Sequence, residues 1–279
     1  MSEYNEFILE YAETLDNADI FEEFNNYCIQ EGYAKLIGST ILSLPKAILN
    51  IIRWILETLF KFLKKLKNTL SAQIKIKGDK NGNVKVLLPE GVRIDDDELS
   101  SMKTFFKTIM TQYNIVVGST NQLLGKAYFN IESKTNPMLD TETLTEVMDD
   151  AKNVIKEELD RVSNSMFLSK NLKFDTEVEM PVDQVRKAYT GLKNLYVDLN
   201  NFSKQMLRGY KELDGIYNKL NKKSDKYDAV KLGDANKAMS EMSKVFTDVQ
   251  KFVTTSLKNI DDYAVNLTRV LVAQSEDAE

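Results

Sequence analysis

Apolar residues recur every three or four positions over most of this chain, which is the spacing of one face of an α-helix. The densest stretch is 43–67, where the polar residues fall on one stripe and nearly all others are Ile, Leu, Phe or Trp. Ser43 followed by Pro45 is a favourable helix start, so we predict an amphipathic helix over 43–68. Its wide apolar face must be covered by lipid, by a partner or by the rest of the fold.

Four further stretches have the same helical period, and we predict long helices over 97–132, 141–167, 182–221 and 234–273. In the last two the apolar spacing alternates between three and four, which is typical of a coiled-coil-like seam. Because a short linker joins these two helices, we expect them to fold back as an antiparallel pair on which the others pack. Glycines inside these helices, such as Gly118 and Gly191, are expected to serve packing or flexibility.

Residues 72–89 change to an alternating period, with Ile74 and Ile76 before an Asn81-Gly82 turn and Val84 and Val86 after it. An Asn-Gly pair between alternating runs predicts a β-hairpin. Residues 170–181 also look extended and could form another strand. Two short amphipathic helices are expected over 3–16 and 19–31.

The predicted fold is mainly α, an elongated antiparallel bundle of long helices with heptad seams, an N-terminal helical region and a small β-hairpin. We divide the chain into an N-terminal region, 1–70, a hairpin and linker, 71–95, and the long-helix bundle, 96–279.

Composition argues against several kinds of chemistry. The chain has no histidine, which is the usual general base and the commonest metal ligand, and its single cysteine, Cys28, permits no intrachain disulfide. No glycine-rich phosphate loop is visible, and carboxylates such as Glu158 and Asp261 are expected to be solvated on outer helix faces. We therefore predict a protein that is not an enzyme and holds no cofactor or metal, with no small-molecule substrate.

Charge is distributed unevenly. Residues 1–37 carry nine acidic and one basic residue, whereas residues 38–77 carry eight basic and one acidic residue. The acidic arm could dock on the basic helix, or the basic stripe could attract anionic lipid. The mild net charge of −5 and the scarcity of arginine make nucleic acid an unlikely partner.

A transmembrane role for 43–67 is disfavoured because Arg53 and Glu57 lie in its middle. The acidic start of the chain has neither the basic nor the apolar part of a signal peptide, so no secretion signal is expected.

The stretch AILNIIRWILETLFKFLKKLK and the seam helices 182–221 and 234–273 resemble, in style, the structural and internal virion proteins of bacteriophages with AT-rich genomes. This resemblance implies a structural role, with virion or assembly proteins as partners. It also implies that the protein is found in a virion, or in the host cytoplasm before assembly. The combination of a long-helix bundle with a hydrophobic element also resembles the α-helical pore-forming toxins.

The leading hypothesis is a structural or assembly protein of a bacteriophage virion, which docks on partner subunits or on itself through 43–67. The alternative is a peripheral membrane-binding or pore-forming protein. The residues predicted to make the apolar contact are Ile48, Ile52, Trp54, Ile55, Leu59, Phe62 and Leu66. Acidic partner groups or lipid headgroups would contact Arg53, Lys61, Lys64 and Lys65.

Overall fold

A computed structural model describes residues 43–70, 82–92, 96–133, 141–222 and 233–276. The elements, in chain order, are α1 (Ser43–Leu70), β1 (Asn83–Leu88), α2 (Asp96–Ser133), α3 (Thr141–Ser163), α4 (Met166–Ser169), β2 (Thr176–Pro181), α5 (Val182–Asn221) and α6 (Gly233–Glu276). The mainly α class with a small two-stranded antiparallel sheet is confirmed. The short helices predicted over 3–16 and 19–31 lie outside the described residues.

Each predicted long helix is present with boundaries close to those expected. The amphipathic helix α1 extends two residues beyond the predicted end. Helix α3 ends at Ser163 rather than 167, because the Ser165 hydroxyl caps the separate turn α4 by accepting from the Leu168 N–H at 3.1 Å. At 1.5 Å per residue, α5 and α6 are roughly 60 and 66 Å long.

The five long helices form an antiparallel bundle, in which α1, α3 and α6 run in one direction and α2 and α5 in the other. The side-chain contacts that fix these directions join Lys65 to Asp261 and Thr69 to Thr268 (α1 and α6), Lys103 to Asp198 and Tyr113 to Met206 (α2 and α5), Lys152 to Glu241 (α3 and α6) and Arg161 to Ser101 (α3 and α2).

The neighbours of α5 and α6 differ from the prediction. The two helices run antiparallel, as expected, but they touch each other sparsely, because α1 packs extensively against both. Helix α5 packs mainly on α2 and α1, and α6 mainly on α1 and α3. The helices α5 and α6 are therefore largely separated by the basic amphipathic helix α1, which packs between them.

The two strands lie at the end of the bundle where α1 ends and α5 begins. Strand β1 pairs antiparallel with β2, with Val84 opposite Met180 and Leu88 opposite Thr176. Val84, Val86 and Leu88 are buried on the face toward the helices, while Lys85 forms an exposed ion pair with Glu177 at 2.9 Å. The extended segment predicted over 170–181 thus supplies the partner of β1. The predicted hairpin arm around 74–77 lies outside the described residues.

A single hydrophobic core runs through the bundle and includes residues from α1, the sheet and all the long helices. The α5 seam is buried as predicted at ten positions: Val185, Tyr189, Leu192, Tyr196, Leu199, Met206, Tyr210, Leu213, Tyr217 and Leu220. Phe202, the eleventh, is partly buried. The four tyrosines among these residues are therefore part of the core.

Candidate functional site

The apolar face of α1 is covered by the chain itself. Five of the residues predicted to contact a partner are buried in the core: Ile52, Ile55, Leu59, Phe62 and Leu66. Ile52 and Leu66 have no exposed surface at all, and Trp54 is half-buried at the edge of the core. Ile48 lies within α1, but its side chain is outside the described set.

The sequence left three possible coverings for this face: lipid, a partner or the rest of the fold. In the structure the rest of the fold covers it. In this arrangement these five side chains do not form a surface. A partner or a membrane could reach them only if α1 left its place between α5 and α6. Helix α1 is held there because α5 and α6 both have apolar faces but contact each other only sparsely. The apolar face of α1 fills the space between them.

The polar stripe of α1 lies on the outside of the bundle. Arg53 donates to Glu57 at 3.0 Å within the helix, and Lys61 and Lys64 are exposed. Lys65 reaches sideways to α6, where it pairs with Asp261. The four predicted polar contacts therefore remain at the surface, one of them engaged by a neighbouring helix.

Two carboxylates that were expected to be solvated are buried instead. The side chain of Asp261 is 7% exposed while that of Lys65 is 66% exposed, so the pair joins a buried anion to a largely solvated cation. Glu158 is held by Arg161, whose guanidinium donates to it at 2.6 Å and also to the Ser101 hydroxyl at 2.7 Å. This hydrogen bond to Glu158 raises the pKa of Arg161. Helical spacing alone could not reveal these burials, because they depend on which helix lies alongside.

Three lysines of α5 follow one edge of that helix, beginning near its contact with the end of α1. Tyr189 faces α1, since its hydroxyl donates to the Leu70 carbonyl at 2.9 Å. Lys193 has its ammonium 4.9 Å from the centre of the Tyr189 ring, and burial lowers the pKa of Lys193. Lys204 and Lys211 follow Lys193 at helical spacing and are half-buried like it, so they lie along the same edge of α5.

On α1, Lys67 lies one turn from Leu70, which meets α5, whereas Lys65 pairs with Asp261 of α6. Two acidic residues of these helices are engaged within their own helix: Glu57 is bound to Arg53, and Asp214 accepts from Asn218 at 3.1 Å.

A polar anchor at the sheet end was missed from the sequence. The Asn259 amide of α6 is fully buried, donates to the carbonyls of Phe167 and Lys170 at 2.6 and 2.7 Å, and accepts from the Leu172 N–H at 3.3 Å. Its position within the apolar stripe of α6, next to Ile260, is the signal that could have indicated it. This side chain fixes the segment that leads from α4 to β2.

An open groove lies between α3 and α6, with a volume of about 530 Å³. Its polar lining includes Lys156, Asp160, Asp248 and Lys251, and Lys251 pairs with Asp248 at 3.0 Å. Within the described part of the chain, no three or more histidine, cysteine or acidic residues are grouped as a metal site would require. Among the described helices, none is sufficiently long and apolar to cross a bilayer.

In comparisons with known proteins, no family model, no curated protein and no solved structure matches this chain.

Proposed function

We propose that this chain is a non-enzymatic structural or assembly protein of a bacteriophage virion, in which a rigid helical bundle holds partner subunits at a fixed spacing. The observation that carries the proposal is the continuous apolar core of five long helices. Such a core resists bending, because interiors packed like organic crystals do not deform continuously. A spacer or assembly element needs this property, and an enzyme does not need it at such length.

The surface proposed for partner contact is the polar stripe of α1, which carries Arg53, Lys61, Lys64 and Lys65. Electrostatic complementarity guides such contacts, so an acidic surface on a partner subunit would fit it. The apolar face of α1 then contributes rigidity rather than affinity. Virion or assembly proteins, including further copies of this chain, are the proposed partners.

Quantitative mass spectrometry of purified particles from the virus that encodes the chain tests the virion proposal. The chain should occur at a fixed ratio to the major capsid or tail subunits, and it should remain after washing in about 1 M salt if it is assembled into the particle. Absence from purified particles, or complete loss in low-salt washes, would contradict the proposal.

The second candidate function is action at a membrane. The observation that favours it is the separation of faces on α1, with a lysine-rich polar stripe opposite a continuous apolar face, as interfacial helices have. In this case α1 would have to leave the bundle to expose Ile52, Leu59 and Leu66 to lipid.

Co-flotation of the full chain with vesicles that contain phosphatidylglycerol tests this second candidate. Binding should be lost when Lys61, Lys64 and Lys65 are all replaced by Glu, and a matched variant with Lys107, Lys126 and Lys244 replaced by Glu should still float. If the unaltered chain does not float, or if the first variant floats equally well, the membrane candidate is wrong.

A further inference from the structure

We infer that two copies of this chain associate through the outer face of α2, with their α2 helices antiparallel about a two-fold axis level with Thr120. This face is distinct from the polar stripe of α1 that is proposed above for partner contact. The inference goes beyond the proposed function and does not depend on the chain belonging to a virion. Three properties of the face support it: exposed apolar side chains, a lack of charge, and a pattern of large and small residues that is complementary to itself.

Helix α2 has one side that the described residues leave exposed. It packs mainly on α5 and α3, and the stripe that includes Ile115 and Phe129 lies outside both contacts. Phe129 is 66% exposed and Ile115 is 44% exposed, more than any other large apolar side chain in the described part of the chain. Their separation is close to four full turns, so they share one stripe of the helix.

The same face lacks charge. Residues 108–125 contain no Asp, Glu, Lys or Arg, and this is the longest uncharged run in a chain of which 28% is charged. Its exposed members are Thr111, Asn114, Ile115, Gly118 and Gln122. Solvated helix faces usually carry charge, whereas the centres of protein interfaces are depleted in charged residues. Two exposed apolar side chains alone are ordinary on a surface, but together with this depletion they indicate an interface.

Large and small residues alternate along the stripe at heptad spacing. The large residues, which recur every seven positions, are Ile115, Gln122 and Phe129. The small residues, which also recur every seven positions, are Thr111, Gly118 and Gly125. The two sets are three and four residues apart, as the two contact positions of a coiled coil are. A Cβ at Gly118 or Gly125 would meet nothing within 4 Å, so the space above both glycines is open.

This alternation makes the face complementary to a second copy of itself when the helices run antiparallel. The pairs that meet across a two-fold axis level with Thr120 are Ile115 with Gly125, Gln122 with Gly118, and Phe129 with Thr111. A large residue therefore meets a small one at every level. In a parallel pair each residue would meet its own counterpart, so large residues would collide and small ones would leave gaps. A surface that fits itself about a two-fold axis indicates a second copy as its occupant.

The charges nearest to the stripe are also compatible with this arrangement. Lys126 comes level with Asn114 of the second copy, and Lys107 comes level with the end of the opposite helix. No lysine therefore faces another lysine across the axis, and like charges do not oppose the contact.

The contact area predicts a weak and reversible dimer. From Thr111 to Phe129 the stripe is roughly 27 Å long at 1.5 Å per residue, and a helix is about 10–12 Å across, so the contact buries roughly 300 Å² on each copy. Stable interfaces bury more than about 1,000 Å² in total. We therefore expect a dissociation constant of about 10–100 µM rather than an obligate dimer.

Sedimentation equilibrium of the full chain tests the association. Between about 1 and 300 µM the mass should rise from that of the monomer, 31.9 kDa, towards twice that value. The dissociation constant obtained in this way is the reference for the variants.

A swap of large and small residues tests the antiparallel pairing. Gly125→Ile brings two isoleucines to the same level and should weaken association at least about tenfold. Ile115→Ala removes an apolar contact and should weaken it about threefold. The two substitutions combined exchange the large and small positions across the axis, so the double variant should recover to within about threefold of the unaltered chain. Positions 115 and 125 are roughly 15 Å apart along α2, so this recovery has to act between copies.

The matched control is Gly215→Ile on α5, where an added Cβ also meets nothing within 4 Å. It should leave the dissociation constant unchanged. Circular dichroism and the thermal midpoint at about 1 µM check the fold of each monomer. The two Gly→Ile variants should not lower the midpoint, because isoleucine has a higher helix propensity than glycine.

Phe129→Gln keeps the test decisive if Gly125→Ile disturbs the fold. The Phe129 side chain is 66% exposed, so its replacement should leave the monomer folded. It should weaken association about three- to tenfold.

Three results would overturn the inference. The first is a chain that stays monomeric up to about 300 µM. If Phe129→Gln also lowers the thermal midpoint in that case, another part of the same chain covers the face. The second is a dimer that neither Gly125→Ile nor Phe129→Gln weakens, which would place the contact elsewhere. The third is a double variant that associates no better than Gly125→Ile alone, which would exclude the antiparallel pairing.

Discussion

The two faces of α1 differ in what they contribute to the protein. The inner face places Ile52, Leu56 and Leu66, none of which has any exposed surface, between α5 and α6. The outer face presents Lys61 and Lys64 to solvent. The same helix therefore supplies apolar surface to the core and charge to the exterior. An unusually apolar helix can therefore be structural when its two neighbours contact each other only sparsely.

The largest expected effect comes from a cavity on the inner face. Leu56→Ala should lower the free energy of unfolding by about 2–5 kcal/mol, because it removes buried methyl groups and leaves a void in a packed core. Urea denaturation followed by circular dichroism measures this change. Asn50→Ala, on the exposed side of α1, is the control and should change the value by less than about 0.5 kcal/mol. Equal, small effects of both would remove the distinction between the faces.

The next effect concerns the anchor at the sheet end. Asn259→Ala leaves the carbonyls of Phe167 and Lys170 without their amide donor, and it should cost about 1–3 kcal/mol of stability. Hydrogen exchange should become faster over 166–172 in this variant. Asn266→Ala is a fair control, since Asn266 donates to the Asp262 carbonyl within α6, and its cost should be smaller. If Asn259→Ala is no more destabilising than Asn266→Ala, the hydrogen bonds of Asn259 do not stabilise the fold.

A smaller loss of stability is expected at the ion pair between Lys65 of α1 and Asp261 of α6, and its size should depend on which partner is replaced. Lys65→Gln leaves the buried Asp261 carboxylate without its cation and should cost about 1–2 kcal/mol. Asp261→Asn removes the buried charge and leaves only a solvated lysine, so it should cost less. Denaturation of both variants and of the double variant measures the asymmetry. The opposite order of stabilities would mean that Asp261 is not buried as described.

The smallest expected changes in stability come from Gly→Ala substitutions. They distinguish glycines with open space beside them from a glycine packed against a neighbouring helix. A Cβ at Gly118 or Gly125 would meet nothing within 4 Å, whereas at Gly191 it would lie 2.9 Å from Leu99 Cδ1. Gly118→Ala and Gly125→Ala should each stabilise by about 0.5–1 kcal/mol through helix propensity. Gly191→Ala should lack this gain, because Leu99 must shift. Thermal denaturation resolves such differences, and equal gains at all three sites would contradict the packing at Gly191.

Much of the fold follows from the sequence, because helical period is a local property. The long helices, the strand over 83–88 and the buried seam of α5 were all predictable from spacing alone. The helix that fills the gap between α5 and α6 was not predictable in this way, because several apolar faces compete for the same position. The two strands are separated by 87 residues between Leu88 and Thr176, so their pairing was equally hidden from local patterns.

At the candidate site, the sequence indicates the chemistry of α1 but leaves its environment open. The lysines were placed correctly on one stripe, and their exposure follows from it. The partner of Lys65 on α6 was not predictable, because it depends on the register between two distant segments. Asp261 and Asn259 were missed for the same reason. Burial of a polar residue depends on the neighbour that lies alongside it.

The central claim is that α1 is an integral part of the core, packed between α5 and α6. Native-state hydrogen exchange over 49–66 tests this claim most directly. The claim predicts that amides of α1 exchange as slowly as those in the middle of α5 and α6, with a free energy of opening equal to that of global unfolding. Exchange of α1 that is orders of magnitude faster, with α5 and α6 still protected, would contradict the claim. It would mean that α1 is a detachable element that a partner or a membrane can bind.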